Sequence, residues 1–144
     1  MTAATPVTGR CLCGACRYTA SATALTTSVC HCETCRRWAG GALFSVDLGR
    51  TVVMNDDAPL LAYASSPGMQ RISCAVCAAP LYRDSLGGGH QYGVLEALDQ
   101  NEDFLFNLEI FVEEKPSNYE FSNDTVKMTG AQVLAEMSAN GKAG

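Results

Sequence analysis

Short stretches of alternating apolar and polar residues fill most of the chain, and clusters of Gly, Pro, Asn, Asp and Ser separate them. Stretches of this length and pattern are typical of β-strands rather than long helices. The turn signal Ser65-Ser66-Pro67-Gly68 predicts a hairpin between the stretches on either side of it. The predicted strands cover residues 11–13, 25–31, 42–48, 51–54, 60–64, 69–73, 80–83, 90–95 and 107–112.

Two helical segments interrupt this β pattern. The segment Thr129-Gly130-Ala131-Gln132 has the form of a capping box, and Val133, Leu134 and Met137 follow it as a narrow apolar face. This combination predicts a short helix near the carboxyl end. A helical turn is expected at residues 36–38, closed by the glycine pair that follows.

Length and charge restrict the domain organisation and the partners. The 144 residues fit one domain, which we expect at residues 9–137 between small, polar, flexible tails at 1–8 and 138–144. A net charge of -5 with no basic run argues against nucleic acid as a partner. The sequence contains neither an export signal nor a run of about 20 apolar residues, so we expect a cytoplasmic protein without a membrane partner.

The candidate chemistry lies in eight cysteines. Four disulfides would suit a small secreted domain, whereas thiols in a reducing compartment favour metal binding. Cys30, Cys32 and Cys35 place three thiols within six residues, and the Cys-x-x-Cys pair Cys74 and Cys77 follows downstream. Such clusters predict zinc. Three protein ligands would leave one tetrahedral position open, which distinguishes catalytic from structural zinc sites.

Spacing alone does not assign the remaining thiols. Three Cys-x-x-Cys pairs are present, and any two of them could complete a four-thiolate site. If the three thiols at residues 30–35 form an open site, five cysteines remain for a closed one, which needs four. These five are Cys11, Cys13, Cys16, Cys74 and Cys77.

Three motifs in order resemble those of the glutathione-dependent formaldehyde-activating enzyme family, which also includes centromere protein V. The motifs are Cys11-x-Cys13-Gly14, Cys30-His31-Cys32-x-x-Cys35-Arg36-Arg37-x-x-Gly40 and Arg71-x-x-Cys74-x-x-Cys77-x-x-Pro80-Leu81. The resemblance extends from about Gly9 to Pro116. It implies a mostly β fold in which tent-like antiparallel sheets are pinned by zinc.

The resemblance also implies two zinc ions per chain. By this resemblance, a structural zinc would be held by Cys11, Cys13, Cys74 and Cys77, and a catalytic zinc by Cys30, Cys32 and Cys35. Cys16 is then spare, and we expect a buried free thiol. Ala78 stands where the family usually has Gly, so we expect a slightly strained turn with positive φ. His31 is not expected to join the metal, because its cysteine neighbours suffice.

The implied activity is that of a carbon–sulfur lyase, forming or cleaving S-hydroxymethylglutathione from glutathione and formaldehyde. A small thiol and an aldehyde would therefore be the partners. Arg36, Arg37 and Arg71 are the candidate cations near the metal, either for an anionic thiol substrate or as donors to ligand sulfurs. The alternative function is a non-catalytic, zinc-stabilised binding module, in which a fourth side chain closes the three-cysteine site.

Overall fold

The computed structural model describes residues 4–139 and is mostly β, as predicted, with eleven strands in two sheets. The strands are β1 (Thr5–Arg10), β2 (Arg17–Ala22), β3 (Thr26–Cys30), β4 (Leu43–Asp47), β5 (Val53–Met54), β6 (Leu60–Ser66), β7 (Met69–Cys74), β8 (Pro80–Ser85), β9 (Gln91–Val94), β10 (Leu105–Ile110) and β11 (Val126–Met128). The helices are α1 (Glu33–Ala39) and α2 (Gly130–Ala139), and the 3₁₀ turns are Leu95–Ala97, Asn101–Asp103 and Val112–Glu114. Within residues 4–139, no helix is long and apolar enough to cross a membrane.

The small sheet has the order β1-β2-β5 and is antiparallel. Along β1 and β2 the residues alternate between buried and more exposed positions, and Val7, Tyr18 and Ala20 face inward. They join one apolar core with large-sheet residues that include Val46 and Leu81. The two sheets therefore share this core between them, as expected for layers that each have one apolar face.

The large sheet has the order β11-β10-β3-β4-β9-β8-β7-β6. Its pairs are antiparallel except for two: β10 is parallel to both β3 and β11. Antiparallel pairing therefore predominates, as the resemblance implied, and these two parallel pairs are the exceptions. Parallel neighbours need a long crossover, and residues 111–125 supply one between β10 and β11. No hairpin turn connects β3 to β10, so turn signals could not reveal their direction.

Both helices begin where side chains satisfy free backbone N–H groups. The Cys32 sulfur accepts from the backbone N–H of Cys35 at the start of α1, and Gly40 ends this helix in a left-handed conformation. At α2, Gln132 N–H donates to Thr129 Oγ1 (3.2 Å) and Thr129 N–H to Gln132 Oε1 (2.8 Å). The predicted capping box and carboxyl-terminal helix are both present.

Several predicted boundaries differ from the structure. Thr5–Arg10 forms β1, so part of the expected tail at residues 1–8 is ordered strand; residues 1–3 lie outside the described residues. Helix α2 extends to Ala139, past the expected domain end at 137, and residues 140–144 of the second expected tail also lie outside. Cys11 and Cys13 lie in a loop after β1, not in a strand, since the chain turns there to bring two sulfurs together.

Candidate metal centres and the adjoining cavity

Four cysteines from two segments that are distant in the sequence come together in the fold. Cys11 and Cys13 lie in the loop between β1 and β2, whereas Cys74 ends β7 and Cys77 lies in the tight turn before β8. Their sulfur atoms all lie within 4.8 Å of one another. We refer to these four residues as the four-cysteine set.

The spacing of these sulfurs fits a tetrahedral metal. Zinc–sulfur bonds of about 2.3 Å place the sulfurs of a tetrahedron about 3.8 Å apart. The Cys11–Cys13 sulfur separation is 3.6 Å and the Cys13–Cys74 separation is 3.8 Å. Four thiolates with this spacing can hold one metal ion in a closed shell, and they suit zinc.

Backbone N–H groups stabilise two sulfurs of this set, those of Cys11 and Cys74, as thiolates. Cys16 N–H donates to Cys11 Sγ at 3.3 Å, while Val76 and Cys77 N–H donate to Cys74 Sγ at 3.3 and 3.4 Å. Burial raises the pKa of Cys11, but the Cys16 N–H and the Cys13 and Cys74 thiols outweigh it and lower that pKa to about 6. The pKa of Cys74 is lowered as well. In Cys13 the Ala15 N–H lowers the pKa, but the Cys11 thiol and burial outweigh it and raise that pKa to about 11. Cys11 and Cys74 are therefore the two residues of the set that the protein stabilises as thiolates, the form that binds a metal ion.

The turn after Cys77 has the backbone conformation that the sequence predicted. Ala78 has φ of 66°, and its N–H donates to Cys74 O at 2.9 Å. Gly14 has φ of 82° in the partner loop, a conformation that suits glycine. Ala78 therefore carries the expected backbone strain at the turn that directs Cys77 to the set.

Cys16 is completely buried and stands outside both groups of clustered cysteines. Its thiol lies 3.6 Å from Pro59 O, within reach of a weak hydrogen bond. Burial, together with the neighbouring Cys74 and Cys11 thiols, raises the pKa of Cys16 to about 12. A protonated thiol in the core is what this environment favours.

Cys30, Cys32 and Cys35 form a second group, the three-cysteine set. Cys30 is the last residue of β3, Cys32 caps the amino end of α1, and Cys35 lies in its first turn. Their sulfurs lie within 4.8 Å of one another. Among residues 4–139, no His, Asp, Glu or further Cys joins these three as a fourth ligand. The set can therefore hold a metal ion with one position left open.

Two arginines reach the same sulfur of the three-cysteine set. Both terminal nitrogens of Arg71 lie 3.6 Å from Cys35 Sγ, and Arg83 Nη1 lies 3.8 Å from it. Arg71 is held by Ser65 Oγ (2.9 Å) and stacks on Trp38. Arg83 donates to Ser45 Oγ (2.9 Å) and stacks on the Tyr92 ring. These contacts fix two positive charges beside one ligand.

Cys35 differs from its neighbour Cys30 in the direction in which its pKa is shifted. Hydrogen bonds from the Cys30 and Cys32 thiols, followed by the charges of Arg83 and Arg71, lower the pKa of Cys35 against the effect of burial. The same contacts with Cys32 and Cys35, together with burial, raise the pKa of Cys30. Cys35 is therefore the thiolate of the set that the protein itself stabilises most.

The other basic candidates from the sequence have different positions. Arg36 Nε donates to the backbone oxygen of His31 at 2.9 Å, and Arg37 is exposed and pairs with Glu33. His31 is fully buried, and its Nε2 lies 2.8 Å from Glu109 Oε1. Of the three arginines that the sequence suggested, only Arg71 donates to a ligand sulfur.

The three-cysteine set opens into a cavity of about 590 Å³. One part of its lining carries hydroxyl groups from the large sheet and from α1, and another carries apolar side chains from β10, β11 and α2. Arg71, Arg83 and Tyr92 also line it. Burial, and next the charge of Asp47, raise the pKa of Tyr92, so its phenol stays protonated at neutral pH. The cavity thus places hydroxyl groups, including the Tyr92 phenol, in the same space as the three cysteine sulfurs.

A family model described as glutathione-dependent formaldehyde-activating enzyme matches residues 6–114. The chain belongs to this family. The match spans both cysteine sets and both arginines at Cys35. The resemblance inferred from the three cysteine motifs is thereby confirmed.

Two individual proteins extend this comparison. An uncharacterized lyase of Schizosaccharomyces pombe is 30% identical over 127 residues, which cover 88% of this chain and 93% of the yeast protein. The crystal structure of a Rhodobacter sphaeroides protein matches with a TM-score of 0.55 and 19% identity, and covers 65% of this chain and 88% of that one. The family and the yeast relative support a lyase-type function, and the bacterial structure supports the fold.

Proposed function

We propose that the protein is a zinc-dependent carbon–sulfur lyase that forms or cleaves a thiol–aldehyde adduct. Glutathione and formaldehyde, which give S-hydroxymethylglutathione, are the first pair to test, because the family description names both. The observation that carries the proposal is the three-cysteine set, which has no fourth ligand among residues 4–139 and opens into the cavity. The four-cysteine set would hold the structural zinc.

The reaction needs no oxidant or reductant. The thiol sulfur bonds to the carbonyl carbon, the carbon–oxygen double bond becomes single, and the thiol proton ends on the oxygen; cleavage reverses each change. Bound zinc would supply an open coordination position that holds an incoming thiol as thiolate at neutral pH. The remaining requirements fall on the side chains around that position.

The surrounding residues have distinct roles in this proposal. Arg71 and Arg83 offset the negative charge of Cys35. Their positive charges reduce the repulsion that a further thiolate would meet in a site that already has three. Ser45 accepts a hydrogen bond from Arg83, and its hydroxyl lines the cavity. Tyr92, protonated at neutral pH, can donate a hydrogen bond to a carbonyl oxygen in the cavity.

The cavity favours an enzyme over a zinc-stabilised binding module. A module needs only closed metal sites, whereas here a three-sulfur site adjoins a space large enough for a small ligand. Reduced cysteines are necessary for both sites, which is consistent with a cytoplasmic location. We include that location in the proposal.

The test is the rate at which thiol and aldehyde exchange with their adduct, measured by magnetisation-transfer NMR. The wild-type protein is expected to accelerate exchange between glutathione, formaldehyde and S-hydroxymethylglutathione. Cys35→Ser should lose at least about a hundredfold in rate because it removes a metal ligand. Cys16→Ser is the matched control, since Cys16 lies outside both sets, and it should keep the rate. Full turnover by Cys35→Ser would contradict the proposal.

A further inference from the structure

The cavity beside the three-cysteine set has an apolar wall that belongs to three adjacent elements. Leu108 and Ile110 come from β10, Met128 from β11, and Val133 and Met137 from α2. Phe111, which follows β10, continues the wall toward the sulfurs, because it packs in the same cluster as Cys30 and Cys35. Apolar side chains therefore line the cavity from the neighbourhood of the sulfurs to α2.

Specific contacts hold α2 in place over the cavity. Gly130 N–H donates to both carboxylate oxygens of Glu113 (3.0 and 3.1 Å), and the Thr129 capping box fixes the same end. The Phe111 ring lies so close to Gly130 that a Cβ there would come within 2.5 Å of it. The amino end of the helix is therefore attached to the residue that connects the wall to the sulfurs.

Among residues 4–139, the apolar face of α2 belongs to neither hydrophobic core cluster. Val133 and Met137, four residues apart on one face, are only half-buried, and Leu134 at the same cavity is 60% exposed. Apolar side chains that line an accessible cavity gain free energy when an apolar ligand displaces water from them. The wall is therefore suited to a hydrocarbon group of a ligand.

The rest of the lining suits a different chemical group. Hydroxyls line it from β3, β4, β6 and α1, including those of Thr26, Ser28, Thr34, Ser45 and Ser65. Neutral hydroxyls can bind a peptide-like thiol compound through hydrogen bonds. The two arginines of the cavity already contact Cys35 and either Ser65 or Ser45. Most of the polar lining therefore lies away from the α2 wall, and the polar lining residues on β10 and α2 themselves are Asn107 and Glu136.

We propose that the aldehyde used by this protein carries an apolar carbon chain, which binds along the wall formed by β10, β11 and α2. This inference rests on the proposed function and identifies its aldehyde class. Formaldehyde has no carbon beyond its carbonyl and leaves this wall without a ligand. A cavity of about 590 Å³ lies in the ordinary range for small-molecule sites and accommodates a chain of several carbons. The chemical step remains addition of S–H across the carbonyl.

The test compares hexanal with formaldehyde at the same glutathione concentration, by the exchange measurement. The wild-type protein is expected to favour hexanal by at least about tenfold in kcat/KM, since each buried methylene favours binding severalfold. A Val133→Asn, Met137→Gln double variant should lose this preference, measured as the ratio of kcat/KM for hexanal to kcat/KM for formaldehyde. Ala135→Gln is the matched control, because Ala135 is exposed on the same helix and does not line the cavity.

A second readout does not depend on turnover. Hexanamide has the same chain but does not form a thiol adduct, and its binding can be followed by titration calorimetry. We expect it to bind the wild-type protein and Ala135→Gln, and to bind the double variant at least about tenfold more weakly. Loss of its binding in the double variant supports the apolar wall even if both aldehydes prove unreactive.

The outcomes separate this inference from the proposed function. Turnover of formaldehyde that equals or exceeds turnover of hexanal overturns the inference and leaves the lyase function standing. A hexanal preference that survives in the double variant overturns the assignment to this wall. Absence of turnover with both aldehydes contradicts the lyase function, and absence of hexanamide binding then also overturns the apolar wall.

Discussion

Arg71 and Arg83 lie directly opposite each other on the antiparallel strands β7 and β8, and both guanidinium groups reach Cys35 Sγ. Like charges at directly opposed positions destabilise a sheet when nothing compensates them. Here the compensation comes from the sulfur between them, with Trp38 and Tyr92 stacked on the two guanidinium groups. The two guanidinium groups therefore help to lower the pKa of Cys35 and favour its thiolate form.

The first prediction concerns metal release by acid. Because thiols must lose their protons to bind metal, a thiolate with a lowered pKa keeps its metal to lower pH. Arg83→Gln removes one cause of the lowered pKa of Cys35, so the open site should release its zinc about one pH unit higher than in the wild type. A colorimetric zinc indicator can follow the release.

Arg37→Gln is the control for this measurement, because Arg37 is exposed and pairs only with Glu33 among the described residues. Its release curve should match the wild type. Identical curves for Arg83→Gln and the wild type would mean that the arginine pair has no effect on the ligand.

The second prediction separates the two cysteine sets by stability. Cys74→Ser removes one sulfur from the four-cysteine set, which connects the loop after β1 to the end of β7. Because this set would hold the structural zinc, the domain is expected to unfold or to lose zinc entirely. Cys35→Ser should keep the fold, because the three-cysteine set joins only the end of β3 to the adjacent helix α1 and does not connect distant segments. Thermal unfolding followed by circular dichroism distinguishes the variants, and equal stability for both would contradict the division of roles.

The third prediction concerns the buried pair His31 and Glu109. Burial raises the pKa of Glu109, but hydrogen bonds from Thr125 Oγ1 (2.6 Å) and from His31 outweigh it, so the pKa falls below its ordinary value of 4.5. A lowered pKa means that the carboxylate stabilises the fold above about pH 4.5 and that this contribution disappears as pH falls through the folded-state pKa.

Glu109→Gln should therefore lower the free energy of unfolding by about 1–3 kcal/mol at neutral pH, and the difference from wild type should shrink under acid. Urea unfolding at several pH values measures this difference in the free energy of unfolding. Glu120→Gln, at an exposed position, should stay within about 0.5 kcal/mol throughout. If the loss of unfolding free energy in Glu109→Gln grew as pH falls, the carboxylate would not be the stabilising form of Glu109.

The fourth prediction uses the close approach between Gly130 and Phe111. A methyl group at residue 130 would meet the Phe111 ring at 2.5 and 2.7 Å, and Phe111 already has φ of 56°. Gly130→Ala should therefore cost about 1–3 kcal/mol and loosen α2, as overpacking does. Gly41→Ala adds its methyl group in open space and is the control. Equal unfolding free energies for the two variants would show that α2 is not held by this contact.

Part of the cysteine grouping could be predicted because it depends on short-range spacing. The three cysteines at residues 30–35 come together within one strand end and one helical turn, so their grouping is local. The capping box at Thr129 is local too, and it predicted the start of α2. Assigning Cys11 and Cys13 rather than Cys16 to the four-cysteine set required the family resemblance, since spacing fitted all of them.

The missed features depend on contacts between distant segments. Arg83 carries no local signal, because its role arises only when β8 pairs with β7 and places it opposite Arg71. The parallel pairing of β10 with β3 joins segments that no turn connects. Strand β1 was missed because small and polar residues dominate Thr5–Arg10, and only its pairing with β2 and the burial of Val7 identify it as a strand.

The most direct test of the central claim is the visible spectrum of the cobalt-substituted protein during titration with glutathione. If the three-cysteine set holds a metal with an open position, added thiol should change the sulfur-to-cobalt bands of one of two bound ions, and Cys35→Ser should abolish this response while the other ion keeps its spectrum. A spectrum that glutathione leaves unchanged in the fully loaded wild-type protein would contradict the account.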